Sequence, residues 1–453
     1  MSRTTRRGFL KSSAITLGAG ALAGPVLARP GRSPNDRIRV GLVGMGNRMG
    51  GHINALAQLE SENVDIVAIC DCDQGRIDTA LQSHKHLADR NVTVYRDQRA
   101  LFDDRSIDAV SFSTQDHWHA LQTIWACQAG KDVLIEKPVS HTILEGRKMV
   151  EAARKYRRIV QVCTQNRSSP NIVEGIRKLH EGIIGKLYMA RGMSYKIRGN
   201  MGRNEPEPVP DGLDWDAWVG PARMVPYGRL HHLRWYWLSN FASGDIANQA
   251  IHNIDIIRWG LGLDAHPNVM MSLGGRYTPA EDDDCDTPNT QSLICQWDGR
   301  DIQVTFEVRH WYTNSEAEMR DTYPFVAPNQ VVGVIFFGSE GYMIFPDYSS
   351  YYTFLGPDRK LGPHAFDPER GMMDLPHFRN WIAACRSRKH EDLTADIEEG
   401  HLSTAVCHLA KISNKLKRSV HLDPATERFI GDPEADRLLT RDYREPYALP
   451  REV

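Results

Sequence analysis

The chain has 453 residues, more than one ordinary hydrophobic core accommodates, so two folded units are expected. Its formal net charge is −2 with 25% of residues charged, which excludes the electrostatic footprint of a nucleic-acid binder and describes a globular, soluble chain. The eight cysteines show no Cys-x-x-Cys pair and no zinc spacing, and most lie in apolar runs, so they read as buried thiols and no metal is expected.

The first residues carry an address. Thr5-Arg6-Arg7-Gly8-Phe9-Leu10-Lys11 fits the twin-arginine export pattern, and no acidic residue precedes Asp36. A weakly apolar stretch, 14–27, leads to a small-residue cleavage site at Val26-Leu27-Ala28. It is short for a span of roughly 20 apolar residues, so residues 1–28 are expected to be a removable signal of a periplasmic or otherwise exported protein, with no stable membrane span. Twin-arginine systems move folded proteins, so a cofactor would be loaded before export and held tightly. A chain folded in a reducing cytoplasm does without structural disulfides.

From Asp36 the pattern is a strand at 37–43, then Gly44-Met45-Gly46-Asn47-Arg48-Met49-Gly50-Gly51, a helix at 53–59 and a strand at 64–70 ending on Asp71. This order makes the glycine motif a dinucleotide signal. Gly44 permits the tight turn, Gly46 lets the backbone approach a pyrophosphate, and the helix N-terminus supplies amide donors. Asp71 is placed for the ribose hydroxyls, favouring NAD over NADP. The third glycine falls at Gly50, one place late, with Met49 at the usual position. Strands at 107–112, 133–135 and 159–162 alternate with helices at 119–129 and 143–155, giving a doubly wound parallel sheet over residues 36–165.

Beyond Pro170 a helix is followed by long strands at 186–197, 269–277, 291–297, 301–310, 331–338 and 342–345, with a hairpin turn at 338–341. An open, mostly antiparallel sheet with helices on one face is expected for residues 166–420, and a Pro- and charge-rich surface tail for 421–453. Helices are expected at 246–261, 375–386 and 397–416. In the first of these Asn248, His252 and Asp255 share one helical face. The loop before it holds Trp215, Trp218, Tyr227, His231, His232, Arg234, Trp235, Tyr236 and Trp237; such rings pack against sugar faces, and His231, His232 and Arg234 are candidate hydroxyl readers. The run Asp282-Asp283-Asp284 lacks a calcium-site pattern and reads as a solvated loop.

Three further segments make a resemblance specific. They are Ser113-Thr114-Gln115-Asp116-His117-Trp118-His119, Glu136-Lys137-Pro138 and Gln161-Val162-Cys163-Thr164-Gln165-Asn166-Arg167. With the glycine loop, their order resembles the Gfo/Idh/MocA oxidoreductases, a Rossmann domain followed by an α+β domain. The resemblance implies NAD held by Gly44, Gly46, Asn47, Arg48, Asp71, Thr114, His117, His119, Glu136, Lys137, Gln165 and Asn166. It also implies a small carbohydrate bound by Lys137, Arg167, His231, His232, Arg234, Asn248 and His252, and a homo-oligomer, dimer or tetramer, formed through the open sheet face.

Lys137 would polarise a substrate hydroxyl and relay its proton. The family pairs that lysine with an Asp-x-x-x-His helix, but here the Asp position is Asn248, which leaves His252 as the expected general base because an imidazole titrates near working pH. Asp255 would orient that imidazole or form a structural pair. Three functions follow: oxidation of a sugar ring hydroxyl by NAD, a redox-assisted glycosidase working by transient oxidation and elimination, or a non-catalytic nucleotide-bearing sugar sensor.

Overall fold

A computed structural model describes residues 37–277, 283–312, 330–367 and 373–453, and residues 38–453 form one compact unit. The expected signal segment and Asp282 lie outside the described residues. Six strands, β1 (Ile38–Val43), β2 (Val64–Cys70), β3 (Thr93–Tyr95), β4 (Ala109–Phe112), β5 (Asp132–Ile135) and β6 (Val160–Val162), make an all-parallel sheet. Their order is β3-β2-β1-β4-β5-β6, so the sheet reverses between β1 and β4 and opens a crevice at the carboxyl ends there. Val40, Leu42, Val110, Val133 and Leu134 are buried, as strands covered on both faces require. β3 escapes sequence reading because it is only three residues long and two of them, Thr93 and Val94, are exposed.

The second sheet has ten strands: β7 (Leu187–Lys196), β8 (Val269–Gly275), β9 (Thr290–Gln296), β10 (Gln303–Arg309), β11 (Gln330–Gly338), β12 (Gly341–Phe345), β13 (Tyr351–Leu355), β14 (Lys360–Ala365), β15 (Val420–Asp423) and β16 (Arg428–Phe429). It is antiparallel except where β7 runs parallel to β10. The helices Ala250–Leu261 and Ile397–Leu416 cover one face, where Ile257, Leu409, Leu293 and Phe306 share a core. On the opposite face Leu273 and Ile294 stay exposed, as strict alternation demands. The fold class is therefore the expected one, a Rossmann sheet joined to an open, mostly antiparallel sheet.

The chain weaves its two halves together more than the sequence suggests. Phe378, Trp381 and Ile382 of the helix Asp374–Ser387 pack into the first domain's core beside Met49 and Ile53. The segment expected to be a surface tail is likewise anchored. β15 and β16 extend the second sheet, Arg441 Nε donates to the buried Glu145 carboxylate at 2.8 Å, and the Tyr443 hydroxyl reaches the same oxygen at 3.1 Å. The Tyr447 ring then meets Trp118 edge-on, 5.2 Å between centroids. Asp283 is also not solvated: it is buried, accepts the Met201 and Gly202 amides and pairs with Arg276. All eight cysteines are free. Among the described residues no helix is long and apolar enough to cross a membrane.

Candidate active site

The crevice at the reversal point deepens into a cavity of about 610 Å³. One wall is the loop after β1. Gly44 has φ +88°, and a Cβ there would stand 2.8 Å from the Ser113 carbonyl oxygen, so only glycine lets this turn press against the end of β4. A Cβ on Gly46 would instead meet nothing within 4 Å and would project into the open cavity. The bare backbone at Gly46, followed by the N-terminus of the helix Met49–Gln58, is the cradle a pyrophosphate needs. Gly50 is in ordinary surroundings. It is Gly51 whose missing Cβ makes room, because Arg48 and Asp374 would lie within 3 Å of it. Asp71 lines the cavity and accepts the Met45 amide at 2.6 Å and the Asp73 amide at 2.9 Å, one on each oxygen. A carboxylate has about four acceptor positions, so both oxygens retain capacity for a ribose diol. The residues present therefore fit a nicotinamide dinucleotide.

Glu136, expected to touch the cofactor, lines the cavity and also holds the loop. Its Oε1 accepts Arg48 Nε at 2.5 Å and faces His52 Nε2 at 3.0 Å, while Arg48 makes a two-pronged pair with Asp374 at 2.6 and 2.8 Å. The Arg48 charge and the His52 hydrogen bond keep the Glu136 carboxyl well below the usual range despite its burial. Asn47 and Thr114 line the cavity, and the Thr114 hydroxyl donates to Gln122 Oε1 at 2.6 Å.

Lys137 follows β5 across a cis bond to Pro138. Its Nζ donates to the Asn248 carbonyl at 2.8 Å and to Asn248 Oδ1 at 3.0 Å, which aims the amine into the cavity. Burial lowers its pKa, opposed by Glu136, Asp116 and Asp245. Asn248 is oriented by Asp245, whose Oδ1 accepts Asn248 Nδ2 at 3.3 Å. Asp245 is itself fully buried against His310 at 3.0 Å and Arg198 at 3.1 Å.

The expected single helix breaks at Gln249, into Asp245–Asn248 and Ala250–Leu261. Asn248 and His252 still face the cavity, but Asp255 turns away. The expected base, His252, sits in surroundings that oppose its charged form. Burial, then the Lys137 charge, push its pKa well below the ordinary value, which favours the neutral ring, with Nδ1 buried and without a hydrogen-bond partner among the described residues. The Tyr348 ring lies 5.3 Å from it, and the Tyr348 hydroxyl accepts from Gln249 Nε2 at 2.5 Å.

Several expected contacts are not made at this cavity. The Arg167 guanidinium is held by Asp255 at 2.8 and 2.9 Å and by Glu399 at 3.0 Å as a buried brace, and it does not line the cavity. His117 is buried against the Phe241 and Trp218 carbonyls with its pKa lowered to about 3, and so remains neutral. His119 bridges the Pro138 carbonyl at 2.8 Å and the Thr114 carbonyl at 3.2 Å, tying the two strand-end loops together. Gln165 and Asn166 are buried in a short turn, with side-chain atoms that find no partner among the described residues, and neither lines the cavity. In the aromatic loop, Trp215 stacks on Trp218 at 4.6 Å and the cluster forms a small core with Phe241. His232 packs on Trp218 and lines the cavity; His231 and the exposed Arg234 do not. Sequence reading missed Gln249, Tyr348 and Tyr447, which line the cavity from the helix break, a loop after β12 and the far C-terminal segment.

Comparison with known proteins settles the family. A profile described as "Oxidoreductase family, NAD-binding Rossmann fold" matches residues 38–164, and its companion for the C-terminal alpha/beta domain matches 179–299 and 367–449. The chain belongs to the Gfo/Idh/MocA oxidoreductase family. It is 30% identical over 159 residues to an inositol 2-dehydrogenase of Salmonella typhimurium, covering 35% of this chain and 46% of that protein. It is 29% identical over 211 residues to a glycosyl hydrolase family 109 protein of a Shewanella species, covering 41% and 45%. The chain thus matches just under half the length of these relatives. Among solved structures it shares the fold of a levoglucosan dehydrogenase bound to NADH and levoglucosan, with TM-score 0.64, 17% identity, and 85% of this chain and 99% of that one covered. It shares it also with the WlbA dehydrogenase of Bordetella pertussis bound to NADH and UDP-GlcNAcA, with TM-score 0.62, 20% identity, and 85% and 99% covered.

Proposed function

We propose that this Gfo/Idh/MocA member oxidises a ring hydroxyl of a sugar or glycoside, with NAD held through the cycle. The observation that carries this reading is the Lys137 amine, fixed by two Asn248 acceptors in a cavity shared with the bare Gly46 backbone. The bound nicotinamide supplies the hydride acceptor. Lys137, with its lowered pKa, hydrogen-bonds the substrate hydroxyl and takes its proton; His252, neutral, holds a neighbouring hydroxyl. Trp218 and Tyr236 offer apolar faces to the ring. The likeness to the glycosyl hydrolase family 109 protein favours a second outcome at the same site, in which transient oxidation leads to elimination of a glycosidic bond and the hydride returns.

Export by the twin-arginine signature at residues 5–11 belongs to the same proposal, since a cofactor loaded before export must be retained. Exposed Leu273 and Ile294 on the open sheet face support a homo-oligomer. Protein purified without added nucleotide is expected to release NAD(H) on denaturation, read by chromatography of the supernatant. Release of NADP would contradict the role given to Asp71. Single-turnover reduction of the retained nucleotide across a panel of sugars and glycosides then tests the activity, and reduction by none of them would leave the sensor reading.

Asn248→Asp provides a test of the Lys137 geometry. A carboxylate 3 Å from Nζ favours the ammonium and raises the lysine pKa. The lysine must be neutral to take a proton, so the rising limb of the pH–rate profile moves to higher pH. An unmoved limb would show that Lys137 is not the group whose ionisation limits the rate.

A further inference from the structure

The family carboxylate is missing at Asn248, yet the cavity holds another acid that the proposed function leaves without a task. Asp116 opens the short turn Asp116–Trp118 after β4, is 4% exposed, and lines the cavity with Lys137. Its carboxylate accepts the Ser243 backbone amide, and two lysines act on it from different elements, Lys137 after β5 and Lys411 from the helix Ile397–Leu416. Lys411 is held away, donating to Ser243 Oγ at 2.9 Å and to the His141 carbonyl at 3.4 Å. Among the described residues no cation lies within ion-pairing distance of Asp116, so this buried carboxylate is not spent on a structural pair, unlike Glu136, Asp245 and Asp255. Buried unpaired carboxylates cost stability, and a cavity wall is where such a cost is repaid by chemistry.

We infer that Asp116 is the terminal proton acceptor of the oxidation, receiving through Lys137 the proton of the substrate hydroxyl. The inference rests on the oxidoreductase reading. The carbinol O–H breaks and its proton passes to the neutral Lys137 amine; the resulting ammonium, not within ion-pairing distance of Asp116, passes a proton on through a solvent molecule in the cavity that both line, and Asp116 becomes a carboxylic acid. The C–H pair leaves as hydride to the oxidised nicotinamide dinucleotide, the oxidant. Carbinol, oxidised dinucleotide and carboxylate thus become carbonyl, reduced dinucleotide and carboxylic acid, and the reverse sequence returns proton and hydride. Burial outweighs the two lysines and lifts the Asp116 pKa to about 7, where a carboxyl can both take and return a proton at working pH.

The test uses the full-length, nucleotide-loaded protein and two readouts. In single turnover with a reducing sugar substrate, Asp116→Asn, whose amide oxygen can still accept the Ser243 amide, is expected to be about 10²-fold slower, with the acid limb set by Lys137 moved to lower pH because a carboxylate charge that favours the ammonium is gone. An unchanged rate and limb in that variant would overturn the inference. Infrared difference titration needs no turnover: the wild type should show a protonated-carboxyl band growing in as pH falls, absent from Asp116→Asn. In Lys137→Met the band should appear at higher pH, because removing a nearby cation favours the protonated acid. A band that ignores Lys137→Met, or no band, overturns the inference. If the wild type reduces its nucleotide with no sugar, the oxidoreductase reading fails, and the infrared titration still decides whether Lys137 and Asp116 form a coupled pair.

Discussion

Lys137→Ala is expected to slow hydride transfer by about 10²-fold or more while leaving the nucleotide bound. The two effects separate because the groups are separate. The cradle consists of Gly44, Gly46 and the helix N-terminus, pinned from behind by Arg48, Glu136 and Asp374, and the Lys137 side chain makes none of those bonds. Its only hydrogen-bond acceptors among the described protein atoms are on Asn248, so truncation leaves an asparagine that can turn to water in the cavity. The measurements are transient kinetics of nicotinamide reduction and nucleotide content after gel filtration. A variant that loses the nucleotide would assign Lys137 to binding; one that keeps full rate would remove it from the chemistry.

Arg167→Leu is expected to act on stability instead. The guanidinium and Asp255 are both buried, joined by two hydrogen bonds, with Ser403 Oγ on the same carboxylate at 2.8 Å. Removing one partner of such a pair leaves an uncompensated buried charge and costs about 3–5 kcal/mol. Arg258, which shares Glu399 and Ser403, cannot move to replace it, because its other nitrogen is bound to the Leu263 carbonyl at 2.8 Å. Denaturant unfolding should show the loss, and the double variant Arg167→Leu/Asp255→Leu should recover much of it, since replacing both charges by apolar groups is close to neutral. Loss of sugar affinity with unchanged stability would restore Arg167 to the substrate.

These two residues show where sequence reading reaches and where it stops. Lys137 was legible because its address is local: it ends a short apolar strand and precedes a proline, and ligands in doubly wound sheets sit at strand ends. The glycine loop and Asp71 were legible for the same reason. Arg167 sits in an equally suggestive segment, but its partner is 88 residues along the chain, and no local pattern announces that pair. Spacing finds His252, but the burial and the Lys137 charge that hold its pKa below the ordinary value are properties of the folded cavity. The break at Gln249 was invisible because 246–261 has good helical periodicity on both sides of it. Asp116 lies inside one of the segments that carry the resemblance, yet only the fold shows that it has no ion-pair partner among the described residues.

The anchoring of Arg441 and Tyr443 on Glu145, with Tyr447 on the cavity wall, bears on biosynthesis. A ribosome delivers the glycine loop first and Tyr447 only after the whole second sheet. The first domain's core, which needs Phe378, Trp381 and Ile382, and the cavity wall to which Tyr447 belongs are therefore both completed late in translation.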